Sequence, residues 1–130
     1  MPVEVERLEG EPIIIVRASG HIEPRQGMLE MYAAVDALIK PDEKVFCITD
    51  VSDISVSFSD LVMGMSAVRE KRPGSPNDPR INNLMVGSGP MWNLASKAAK
   101  QLQYGGVEVH LFSAMEEAIE YARKEMKVSS

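Results

Sequence analysis

Residues 44 to 65, KVFCITDVSDISVSFSDLVMGM, decide how this chain folds. The apolar run Val45-Phe46-Cys47-Ile48 is followed by Asp50, a connection rich in serine and aspartate, and then apolar residues at a longer period. That succession reads as a buried strand over Lys44 to Thr49, a loop, and a helix. Nearly continuous hydrophobicity suits a strand covered on both faces. Ligands and partners of open α/β sheets are met at the carboxyl ends of the strands, so the loop from Asp50 to Ser59 is the first place to look for function. Within it, Ser57-Phe58-Ser59-Asp60 has the form of a capping box, in which the Ser57 hydroxyl and the Asp60 carboxylate each take an orphan backbone N–H.

Outward from this stretch the chain alternates. Val3 to Leu8 and the β-branched run Ile13-Ile14-Ile15-Val16 flank a Gly10-Glu11-Pro12 turn, which predicts an antiparallel hairpin. Pro24 opens a helix running to about Ile39, where Met28, Tyr32, Val35, Leu38 and Ile39 recur at helical spacing before Pro41 stops it. A second helix carries Leu61, Val62, Met65 and Val68 and ends near Arg72. Three prolines between Arg72 and Arg80 mark a loop, and Ile81 to Val86 reads as a fourth strand. Gly87-Ser88-Gly89 is a tight turn into a third helix from Pro90, ended by Gly105-Gly106. Val107 to Phe112 is a fifth strand, and Ser113-Ala114-Met115-Glu116 caps a last helix through about Met126.

The expected fold is therefore α/β: a mixed, mostly parallel five-stranded sheet with four helices, in the order β-β-α-β-α-β-α-β-α. The 130 residues suit one domain, residues 1 to 130. A formal net charge of −5 disfavours binding to nucleic acid or anionic membrane. MPVEVERLEG resembles no signal peptide and no apolar run approaches a bilayer's thickness, so a cytoplasmic protein is expected. The single cysteine, Cys47, falls in the buried strand and excludes an intramolecular disulfide.

Candidate chemistry is sparse. Asp50, Asp53 and Asp60 surround one loop and offer oxygen ligands, but their spacing fits no calcium-loop motif, and turn formation and capping account for them. His21 and His110, with one cysteine, make no zinc set. Gly87, Ser88 and Gly89 at a strand-to-helix turn could present N–H groups to an anion, with Trp92 beside them, although the lysine of a P-loop is missing and Pro90 removes a donor. No serine occupies a nucleophile elbow, so no catalytic residue, metal or cofactor is expected. Methionines 63, 65 and 91, near two helix starts, suit either a core or an adaptable partner surface.

The element order resembles the STAS domain, the fold of bacterial anti-sigma factor antagonists and of the cytoplasmic tail of sulphate transporters. The apolar strand with Asp50-Val51-Ser52 is similar to the family's strand ending in Asp-Leu-Ser, and Val109 to Ala118 resembles the closing strand, turn and Glu-Ala helix of stand-alone members. The resemblance implies a non-enzymatic regulatory module that binds a protein partner, such as a kinase or an anti-sigma-like regulator, through the loop 50–60 and the following helix. In members switched by phosphorylation this loop carries Asp-Ser-Ser-Gly-Leu, and the second serine is the acceptor. The matching stretch here, Ser57-Phe58-Ser59-Asp60-Leu61, puts Ser59 at that position, departs from the pattern at Ser57, Phe58 and Asp60, and lies in a loop one residue shorter. Ser52 and Asp53 complete the candidate surface. Two alternatives stay open: a nucleotide, anion or lipid held at the Asp50 and Gly87 strand ends, and a homodimer formed through the first strand.

Overall fold

The computed structural model describes residues 3–20, 26–54, 57, 59, 60, 63, 72–100 and 108–129. Five strands, β1 (Val3–Arg7), β2 (Ile13–Gly20), β3 (Val45–Ile54), β4 (Ile81–Val86) and β5 (Val109–Phe112), form one sheet in that spatial order. β1 and β2 are antiparallel, closed by a Leu8 N–H to Ile13 carbonyl bond of 2.9 Å; every other neighbouring pair is parallel. Among the described residues there are three helices, α1 (Gln26–Asp36), α2 (Pro90–Ala99) and α3 (Met115–Ser129). The four-helix count is therefore not carried over: most of the helix expected between Leu61 and Arg72 lies outside the described residues, although residues 59, 60 and 63 are helical.

The four-residue run Ile13 to Val16 shows why the sheet must be covered twice. Alternate side chains point to opposite faces: Ile13 and Ile15 join Ile48, Leu84 and Val86 on one face, Ile14 and Val16 join Val45, Cys47 and Ile81 on the other. α3 covers the first face through Ala118 and Ala122, both fully buried, one helical turn apart and small enough to bring the helix close to the strands. α1 and the turn after it cover the second through Val35 and Ile39. Each fully buried Ile contributes on the order of 2 kcal/mol relative to exposure.

The largest departures from the expected boundaries are at two strand ends. β2 runs on from Val16 to Gly20, and β3 runs on from Thr49 to Ile54, because the two strands continue to pair: Ser19 is opposite Asp53 and Gly20 opposite Ile54, after an irregularity between Arg17 and Ser19. Asp and Ser are poor strand formers in isolation, and tertiary pairing overrides that preference. The last helix also differs in detail. Ser113 donates its hydroxyl to Glu117 Oε1 at 2.8 Å, one residue beyond the Glu116 of the expected box.

The proline-rich loop after residue 72 is more than a connection. Ser75 is fully buried and Asp78 nearly so, and Asp78 accepts from Gly74 N–H at 2.9 Å while gripping the Arg80 guanidinium, which reaches across to Asp36 of α1 at 2.7 Å. Gly74 (φ 83°) presses on α1 so closely that a Cβ would lie 2.0 Å from the Tyr32 carbonyl oxygen.

Candidate functional site

The longer β3 changes the setting of the candidate residues. Asp50, Ser52 and Asp53 belong to a strand and not to the loop expected there. Asp50 is half-buried with Arg17 and Val86 as its lateral partners, and its Oδ1 accepts the Ser52 N–H at 3.0 Å. An aspartate bonding the backbone two residues on is the local arrangement by which this side chain shapes its own chain. Ser52 and Asp53 are exposed, while Val51 between them and Asp50 is buried. β4 ends its pairing with β3 at Val86 opposite Asp50, so the last residues of β3 project past β4.

Beyond β3 the chain turns into a helical segment. The Ser57 hydroxyl accepts the Asp60 N–H at 3.1 Å, the N-cap to third-residue bond of a helix start. Ser59, in that first turn, is exposed, as is Met63 at 52%. A helix amino terminus favours added negative charge, whereas the adjacent Asp60 carboxylate opposes it.

The second candidate group begins where β4 ends. Gly87 is buried, and a Cβ there would lie 2.8 Å from Val51 Cγ2 and 3.5 Å from Trp92 Cδ1. Absence of a side chain thus lets the half-buried Trp92 indole of α2 and the Val51 of β3 close over the strand end. The Gly87 N–H donates to the Phe112 carbonyl at 2.9 Å and continues the sheet towards β5. Gly87 is therefore not a free donor for an anion. Ser88 is exposed; Gly89, at φ 105°, starts α2 without a side-chain cap, and its carbonyl accepts both the N–H and the Nδ2 of Asn93 at 3.2 and 3.0 Å.

Through Val51, Gly87 and Trp92 the two candidate groups meet at one end of the sheet. Among the described residues, no three His, Cys, Asp or Glu side chains converge as a metal site would require, and no helix is long and apolar enough to cross a membrane. His110 is exposed and lies opposite Leu84, two residues before β4 ends, stacked on Tyr121 at 5.2 Å between ring centres; His21 lies outside the described residues. Burial pushes the Cys47 thiol up to about 11, so it is an inert apolar residue at neutral pH. Sequence reading missed the Asp78–Arg80–Asp36 cluster, whose one visible signal was two opposite charges bracketing Pro79.

No protein-family model matches the chain, and no curated protein matches it at a significant level. Among solved structures, an uncharacterized protein of the DUF3478 family from Shewanella loihica PV-4, described as having a SpoIIAA-like fold, superposes with a TM-score of 0.53 over 92% of this chain and 91% of that one, at 16% identity. Strand order, the single antiparallel pair and the helices on both faces agree with that likeness, and the chain has a SpoIIAA-like fold, the fold of the STAS domain.

Proposed function

We propose that this protein is a non-enzymatic regulatory module of the anti-sigma antagonist type, which binds a protein partner through the carboxyl end of β3, the residues 50–60 and the helix that follows. The observation that carries the reading is where the apolar surface lies. Among the described residues the exposed large hydrophobic side chains are Met63 (52%) and Leu94 (49%), on the helical segments that follow β3 and β4. Exposed Ser52 and Asp53 lie at the same end of the sheet. Exposed apolar side chains at one end of the sheet, with polar ones beside them, suit a partner surface. Ser59, exposed in the capped first turn, is the residue at which a partner kinase would act, and a phosphate there would change the charge of the contact surface.

The reading places the protein in a bacterial cytoplasm, with a kinase or an anti-sigma-like regulator as partner. A ligand held between Asp50 and Gly87 has less support, because Asp50 Oδ1 accepts the Ser52 N–H and the Gly87 N–H donates to the Phe112 carbonyl. The test is affinity capture from the source cell with wild type, Met63→Lys, Leu94→Lys and, as a distant control, Lys124→Glu. A partner retained by wild type and the control but lost from the first two supports the proposal. Capture that is indifferent to all three substitutions, or that recovers no specific partner, overturns it.

A further inference from the structure

At the opposite end of the sheet from the proposed contact surface, a groove of about 720 Å³ lies between the start of β4, β5 and α3. That volume is in the range of small-molecule sites, roughly 300–1,000 Å³. Phe46 and Asn82, which are paired partners on β3 and β4, contribute to it four residues before Asp50, about 13 Å along the strand. The groove is therefore separate from the site described above.

Its chemistry has one sign. Glu108 and Glu125 line it with His110 and Tyr121, and among the described residues no lysine or arginine does. Asp78, which also lines it, is already neutralised by Arg80. Glu125 takes part in no ion pair among the described residues, and Glu108 approaches only His110, at 3.9 Å. Burial, followed by the charges of Glu125 and Glu108, pushes the Tyr121 phenol up, which places both carboxylates within electrostatic reach of that ring. Phe46 and Leu84 supply apolar wall. Carboxylates without cationic partners among the described residues, next to an aromatic ring and apolar surface, attract a positive charge carried on an apolar body.

From this juxtaposition we infer that the groove formed by Phe46, Asn82, Glu108, His110, Tyr121 and Glu125 binds a small organic ammonium ion with an apolar body. The inference goes beyond the interaction reading and does not depend on it. Its test is titration of the ¹⁵N-labelled full chain with two probes of the same shape and opposite charge, phenethylammonium and phenylacetate, followed by two-dimensional NMR. Phenethylammonium should shift the amides of Asn82, His110 and Tyr121 with a dissociation constant of about 1 mM, as expected for so small a ligand. Phenylacetate should bind about tenfold more weakly or not at all. Glu125→Gln, a near-isosteric change at the surface, should weaken phenethylammonium about threefold while leaving the spectrum otherwise that of the folded protein. Equal binding of both probes, absence of shifts with either, shifts confined to Gly87–Trp92, or indifference to Glu125→Gln would each overturn the inference.

Discussion

The two ends of the sheet handle their polar groups in opposite ways. At the amino end of β4, the loop from Arg72 to Arg80 turns its polar atoms inward: Asp78 accepts from Gly74 and from Arg80, and Arg80 bridges to Asp36 of α1. At the carboxyl end, Ser52, Asp53, Ser57, Ser59 and Ser88 are exposed. The inward set costs desolvation and is stable only because nearly every member has a partner. The outward set has given up little to solvent and remains available. One end therefore holds the molecule together, and the other can be altered without loss of the fold.

Substitutions can break that contrast, and the largest effect is expected where the loop meets α1. Gly74→Ala would drive a Cβ to 2.0 Å from the Tyr32 carbonyl oxygen at a φ of 83° that side chains rarely adopt. Because the obstacle is backbone, nothing nearby can rotate away, and the change should cost about 3 kcal/mol or more, seen as a fall in the urea midpoint.

Asp78→Asn comes next, at about 2 kcal/mol near neutral pH. Burial alone would raise this carboxyl, but the hydrogen bonds from Arg80 and Gly74 outweigh it and hold the group at about 2, below the ordinary 3.8. A carboxylate depressed in the folded state contributes stability that is full above its unfolded value and fades as pH falls through its folded one. The stability difference between wild type and Asp78→Asn should accordingly shrink from about pH 4 to about pH 2, and a difference that stays constant over that window would remove the charge from the explanation.

Ser57→Ala tests the open end where one polar side chain does have a structural duty. Loss of the bond from the Asp60 N–H should lower stability by about 1 kcal/mol, and thermal unfolding unchanged from wild type would remove the capping assignment. The smallest effects belong to the exposed residues beside it. Asp53→Ala and Ser59→Ala should each stay within about 0.5 kcal/mol of wild type. Ser59→Asp should leave unfolding equally unaffected yet change partner affinity, so that binding to a captured partner by calorimetry separates a surface used for contact from one merely exposed.

The comparison also shows which features could be read in advance. The hairpin was legible because Ile13 to Val16 allows little besides a strand and Gly10-Glu11-Pro12 little besides a turn. The cap at Ser57 was legible because its bond is local, three residues away. Strand continuation through Asp50, Ser52 and Asp53 was not, since their propensities argue against it and the pairing that holds them comes from β2, more than 30 residues earlier. Gly87 was legible as part of a tight turn, with an anion contact as one option; that it yields space to Val51 and Trp92 and donates to Phe112 was not, because those neighbours come from other elements.

What the sequence by itself determined is the set of local choices: where apolar period changes from strand to helix, where proline and glycine interrupt it, and which serine can cap. These depend on residues within a few positions of one another, and backbone sterics and short-range hydrogen bonds enforce them. Only the tertiary structure decided which polar side chains became internal. Asp36, Asp78 and Arg80 are joined across a gap of 44 residues, and the groove draws Phe46, Glu108 and Tyr121 from three separate parts of the chain. Such groupings follow from the order and register of the strands, because stacking β2 to β5 in parallel carries each strand start to one edge and each strand end to the other, irrespective of the local pattern around it.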